Sequence, residues 1–223
     1  MILPSQYYVE KLYPLQDGVM SIIARSGTDF FLTGGTALSR AYYNHRYSDD
    51  LDFFVSQDPS FDEQLDKVFA MLLENGYTWN TDIDFTRAEH FATVKISRDF
   101  DVSLKLDFVN DSAPCFGEII RTDLFHRTDS ICNIISNKMS AIFRYAAKDI
   151  ADIREIALHE DIDWSAAIID ARQKDAGVEL VYVAEVMSSM PQNEYNSIQW
   201  VIEPGWDVFR ADIERIVYEM LRG

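Results

Sequence analysis

Two carboxylates two residues apart, preceded by a paired glycine, are the groups best suited to chemistry in this 223-residue chain. Asp50 and Asp52 lie in Asp49-Asp50-Leu51-Asp52-Phe53-Phe54-Val55, which reads as a β-strand. On a strand, residues two apart share a face, so both acids point one way while Leu51 and Phe53 point into a core. Neighbouring carboxylates repel, and a hard divalent cation relieves the repulsion. Magnesium is commonly shared between one or two carboxylates and the phosphates of a substrate. Upstream, Phe30-Phe31-Leu32 reads as a short strand running into Thr33-Gly34-Gly35-Thr36 and a helix over 37–44. Paired glycines let the backbone turn tightly and approach a ligand closely. The helix start that follows offers unpaired N–H groups and a positive dipole end to phosphate. Alone, a Gly-Gly is an ordinary turn and an Asp-x-Asp a solvated edge. Together they point to metal-assisted phosphoryl or nucleotidyl transfer.

A site of this kind commonly takes a third carboxylate, and Asp107 is the best candidate. It sits in the strand-like Leu104-Lys105-Leu106-Asp107-Phe108-Val109, where an acid must ligate a metal or be paired. The other reading is a salt bridge or an edge position, since Ser103 and Lys105 share its face. A second cluster lies further on. Lys138, Arg144, Lys148 and Asp152 recur at helical spacing, and Asp149 and Asp152 are three apart. A lysine there could neutralise charge developing on a triphosphate, and an arginine could grip phosphate oxygens in a fork. The alternative is a helix laced with surface ion pairs, Lys148 to Asp152 being one at i,i+4.

The elements that must position these residues follow from periodicity. Residues 5–26 are helical, with Pro14 predicting a kink or two short helices and Gly27 a stop. An amphipathic helix is expected over 61–74, closed by Asn75-Gly76. Strands are expected over 77–84, 91–97 and 102–109, and a short one near Ile119-Ile120. Residues 130–159 read as one uninterrupted helix, because no proline or glycine breaks the pattern. Helix over 164–188, loop over 191–204 and a closing helix over 207–221 complete the chain. The expected fold class is therefore α+β: a core over 1–125 followed by a helical part over 126–223.

Composition narrows the function classes. A net charge of −17 argues against general nucleic-acid binding. The segment Arg87–Arg154 is charge-balanced, with ten basic and ten acidic residues, so a local basic surface for a polyanionic substrate is possible there. No stretch is long enough to span a membrane, and the N-terminus lacks signal-peptide features. Cys115 and Cys132 have neither zinc nor redox spacing, and a cytoplasmic location is the simplest fit. His45, His90, His126 and His159 are scattered without ligand spacing.

Gly34-Gly35-Thr36-Ala37-Leu38 followed by Arg46-Tyr47-Ser48-Asp49-Asp50-Leu51-Asp52-Phe53-Phe54 resembles the signature of AbiEii/AbiGii-type nucleotidyltransferase toxins, within the polymerase-beta-like nucleotidyltransferase superfamily. Lys138, Arg144 and Lys148-Asp149-Ile150-Ala151-Asp152 are similar to that family's later motif. The resemblance implies a nucleotidyltransferase-type mixed sheet with a helical C-terminal part. It implies metal (magnesium or manganese) at Asp50 and Asp52, and NTP phosphates at Gly35 and Thr36, within a nucleotide site that also takes in Gly34, Arg46, Ser48, Arg144 and Lys148. Lys138 would touch the triphosphate, and Asp149 or Asp152 would act near the acceptor as general base or orienting group. Such proteins are toxins of toxin–antitoxin pairs in abortive infection and phage defence, and the implied acceptor is an RNA 3′ end, tRNA above all. The rivals are a small-molecule nucleotidyltransferase of the antibiotic-modifying type and a non-catalytic protein that binds nucleotide or a partner.

Overall fold

The computed structural model describes residues 4–98 and 102–222. Five strands, β1 (Phe31–Thr33), β2 (Leu51–Ser56), β3 (Phe85–Ala88), β4 (Phe91–Ser97) and β5 (Ser103–Asp111), form one mixed sheet in the order β1-β2-β5-β4-β3. β2 and β5 run parallel, and every other neighbouring pair is antiparallel. The chain divides into two compact units. The first runs to Ala41 and adds Tyr47–Ser112 and Ile119–Asp129; the second takes Tyr42–Arg46, Ala113–Glu118 and everything from Ser130.

In the first unit the alternation of the strands is realised. Leu51, Phe53, Val55, Leu104, Leu106 and Phe108 are all buried, while Asp52, Phe54, Asp107 and Val109 are only partly so. Around the buried face Phe108 contacts Phe30, Phe53 and Phe69 at ring separations of 5.0–5.6 Å. The helices Tyr13–Ser26 and Phe61–Glu74 pack against each other in this unit. Pro14 marks a change within the N-terminal helical run, between a short helix Pro4–Tyr7 and a longer one Tyr13–Ser26. It sits in the first turn of Tyr13–Ser26, where a missing N–H costs little, and the turn before it, Tyr8–Leu12, widens to π geometry with Tyr13 N–H donating to the Tyr8 carbonyl. The expected strand over 77–84 reduces to a bridge between Thr78 and Ser97. Asn80 takes the chain out of strand geometry, because its side chain accepts from Asp82 N–H (2.9 Å) and its carbonyl from Asp84 N–H (2.8 Å). The strand β3 forms just after that turn. Ile120 makes a single bridge to Thr128.

The second unit contains helices Ile131–Ser140, Ala147–His159, Trp164–Lys174, Leu180–Ser189 and Trp206–Met220. The expected continuous helix over 130–159 is broken. A 3₁₀ turn, Ile142–Arg144, leads to Tyr145 in left-handed geometry (φ 56°, ψ 32°), and a new helix starts at Ala147. A left-handed non-glycine residue costs roughly 1–2 kcal/mol, so something must compensate for the elbow; the charged cluster described next does. The helix expected over 164–188 is likewise two helices, parted by a loop in which Gly177 N–H donates to Asp175 Oδ1 at 2.8 Å. Within the loop expected over 191–204, Gln192–Tyr195 makes a helical turn.

Candidate active site

In the first unit the sheet register lines up the candidate residues in a row. Thr33 on β1 faces Asp52 on β2, Asp52 faces Asp107 on β5, and Asp107 faces Thr93 on β4. Asp52 and Asp107, 55 residues apart in sequence, thus become lateral neighbours. The glycine turn is packed against them. Gly34 has φ +69°, the left-handed region, and a Cβ built there would collide with Asp52 Oδ2. Only a glycine fits beside that carboxylate.

Asp50 lies just before β2 rather than within it. Its carbonyl is held at 2.5 Å by the hydroxyl of Thr36, which also bonds Ser48 Oγ at 2.9 Å. Ser48 is pinned in turn, since its carbonyl accepts from Gln16 Nε2 at 3.0 Å. Thr36 and Ser48 are both buried. Their hydroxyls therefore fix the loop that presents Asp50. Tyr8 donates to Asp49 Oδ1 at 2.6 Å, and burial together with that bond pushes its phenol above the ordinary tyrosine range.

Asp107 shows the ion pair that its strand face allowed. Lys105 Nζ lies 2.5 Å from Asp107 Oδ2, while Asp107 Oδ1 is buried with no hydrogen-bond partner. Among the described residues, no group of three His, Cys, Asp or Glu side chains is arranged to hold a metal ion. The residues nonetheless fit magnesium as it is usually bound, through one or two carboxylates and substrate phosphates. Asp52 and Asp107 are side by side, one oxygen of Asp107 is orphaned, and the glycine turn leaves the space beside Asp52 open.

In the second unit the elbow assembles the other candidates. On a straight helix, Lys138 and Asp149 would be separated by about 16 Å along the axis, from a rise of about 1.5 Å per residue. Here Lys138 Nζ lies 2.8 Å from Asp149 Oδ1 and 2.6 Å from Asp152 Oδ2. Arg144, from the elbow itself, reaches Asp149 through Nε (2.6 Å) and Nη2 (2.9 Å). Arg46 forks onto Asp152 with Nε and Nη2, both at 2.7 Å, and His45 Nε2 lies 2.9 Å from Asp152 Oδ1. The strip that carries His45 and Arg46 is seated by backbone pairing, with Val201 N–H donating to the His45 carbonyl at 3.1 Å. Asp149 and Asp152 are fully buried.

Burial alone would raise both carboxyls, but the facing cations win. Lys138 and Arg144 hold Asp149 below the usual carboxylate range, and Arg46 and Lys138 hold Asp152 well below it. Burial would lower the Lys138 ammonium, but Asp152 and Asp149 raise it. The expected surface ladder is absent at Asp152: it is buried in the cluster, while Lys148, its i,i+4 neighbour, is exposed. Arg144 is 55% exposed in its side chain despite its pairing.

Two residues that sequence reasoning passed over belong to these arrangements. His45 has no ligand spacing, and only its place beside Arg46 hinted at a shared partner. Asp129 is fully buried and accepts from Thr33 Oγ1 at 2.5 Å, bracing the residue that precedes the glycine turn. Nothing local in its sequence marks it.

The profile of the family described as nucleotidyl transferase AbiEii toxin, type IV TA system, matches residues 22–216. Solved structures of similar fold include a nucleotidyltransferase toxin, MenT4 of Mycobacterium tuberculosis H37Rv, at 13% identity and TM-score 0.67, over 99% of this chain and 86% of that one. A putative nucleotidyltransferase of Helicobacter pylori is similar at 21% identity and TM-score 0.58, over 93% and 96%. JHP933 of Helicobacter pylori is similar at 20% identity and TM-score 0.57, over 95% and 94%. No curated protein matches the sequence significantly.

Proposed function

The chain belongs to the AbiEii nucleotidyl transferase toxin family of type IV toxin–antitoxin systems, and from that premise we propose that it moves a nucleoside monophosphate from an NTP onto a hydroxyl at an RNA 3′ end, that of tRNA above all. The reading includes magnesium or manganese dependence, a cytoplasmic setting, a cognate antitoxin and a role in abortive infection during phage defence. No helix among the described residues is long and apolar enough to cross a membrane.

One observation carries the catalytic reading: Asp52 stands beside Asp107 across the β2–β5 register, with the Gly34 backbone against its carboxylate. Asp52 and Asp107, with Asp50 at the strand entrance, would hold the metal. When bound, such an ion neutralises phosphate charge and orients the displacement. Gly34 and Gly35 let the backbone approach the NTP phosphates, with Thr36 and Ser48 supporting that turn from behind. Arg144, which is paired to Asp149, and Lys148 are the exposed cations of the later motif and are assigned to nucleotide phosphate on the strength of that motif. Asp149 and Asp152 are buried against Lys138, Arg46 and Arg144, which favours an orienting role over that of general base. Lys138 then acts by holding the elbow that presents Arg144.

The test is incubation with each labelled NTP, magnesium and total RNA, following pyrophosphate and label. Label on RNA supports the reading. Label on a small acceptor would move it to a small-molecule transferase, and nucleotide binding without pyrophosphate from any acceptor would sink catalysis.

A further inference from the structure

We propose that Lys105 is the resident cation of the carboxylate row: its ammonium holds the place that a divalent ion takes for transfer, and it must swing out for that ion to enter. This deepens the metal reading above and rests on it. Lys105 precedes Asp107 by two residues on β5, so both side chains lie on the half-exposed face of the sheet. Its Nζ contacts Asp107 Oδ2 at 2.5 Å, and Asp107 is the lateral neighbour of Asp52. The charges of Asp50 and Asp52 act on the same ammonium. One lysine thus contacts Asp107 and feels the charge of the other two carboxylates.

Two features make this pairing displaceable. First, the Lys105 side chain is 47% exposed, so its flexible four-carbon stem can carry the charge into water without crossing the core. Lys138, by contrast, is locked between two buried acids. Second, the pairing is incomplete, because Asp107 Oδ1 stays buried and unpartnered beside the occupied Oδ2. An ammonium bound at one oxygen leaves that acceptor unanswered, whereas a divalent cation offers charge enough for both. The consequence is a threshold: the ion must displace a bound charge before it settles, so metal affinity without nucleotide is held down by Lys105.

The measurement is manganese binding to the nucleotide-free full chain, by calorimetry or by loss of the free-ion electron-resonance signal. Lys105→Met should bind manganese about fivefold more tightly or better, since it removes an exposed ion pair that competes for the same oxygen. Lys105→Arg, which keeps the charge, should stay close to the original, and a thermal melt checks that each variant folds. Equal or weaker binding by Lys105→Met overturns the proposal, weaker binding meaning that the lysine positions Asp107 for metal. Asp52→Asn separates this from the underlying reading. If Asp52→Asn binds manganese like the original, the metal assignment itself fails, and if neither the original nor Lys105→Met binds, both fall.

Discussion

The two clusters of aspartates use one residue type in opposite ways. Asp149 and Asp152 are fully buried, and each meets at least two cations at 2.6–2.9 Å. Asp52 and Asp107 sit on a half-exposed sheet face, where Asp107 meets a half-exposed lysine and keeps one buried oxygen without a hydrogen-bond partner. Buried, fully paired charge makes a joint, while the acids of the sheet face stay within reach of solvent. Each cluster also has a left-handed residue: Tyr145 at the joint, where many bonds hold the elbow, and Gly34 at the site, where the missing side chain makes room.

The sharpest way to break this comparison is to remove one partner from the joint. Asp152→Ala leaves Lys138 and Arg46 buried without their shared acid and should cost about 3–5 kcal/mol in a denaturant titration. A loss below about 1 kcal/mol would place the pair with ordinary surface bridges. Acid should weaken the joint without a mutation. Asp149 and Asp152 titrate below the ordinary value when folded, so their contribution is complete above about pH 4 and is lost as pH falls through the lowered folded values. Lys138 is raised, so its contribution is complete below about pH 10 and is lost as pH rises through the folded value. An acid limb of the stability profile that Asp149→Asn leaves unaltered would contradict this.

At the site, the expected losses are of activity rather than stability. Asp52→Asn should lower transfer by at least about 100-fold, a loss on the scale of deleting one strong electrostatic contact to the transition state, with the melting curve little changed. Retained activity would return Asp52 to a structural role. Gly34→Ala should do a little of both. The left-handed backbone costs about 1–2 kcal/mol, and the new methyl pushes Asp52 aside, so transfer should fall together with stability. The smallest effect is expected for Lys148→Ala: stability within about 0.5 kcal/mol, because the side chain is exposed. A rise in KM for NTP would still assign it to phosphate, and no change in either would leave it on the solvated surface.

Much of the local geometry of the candidate site was legible in the sequence because its signals are local. The Gly34-Gly35 turn, the alternation of β2 and the alternation of β5 each needed fewer than ten residues, and the shared face of Lys105 and Asp107 offered the ion pair seen here as the alternative to the favoured ligand reading. The joint was not legible. Alternating apolar residues across 130–159 describe a buried face equally well for one helix or two, and Ala141 to Ala146 contain neither glycine nor proline. The break depends on Arg46 and His45, whose partner lies more than a hundred residues along the chain. Periodicity carries no information at that distance. The misplaced strand at 77–84 has a local cause instead: the turn made by Asn80 with Asp82 and Asp84 outweighed the apolar pattern.

The reach of Asp152 back to Arg46 also bears on how the protein is made. The sequence separation is 106 residues, so at about 5–20 residues per second the arginine leaves the ribosome roughly 5–20 s before its partner exists. Until then the Tyr42–Arg46 strip has no seat, and the elbow has nothing to close on. A half-made chain therefore lacks the joint altogether, and a toxin built this way stays unassembled until synthesis is well past its midpoint.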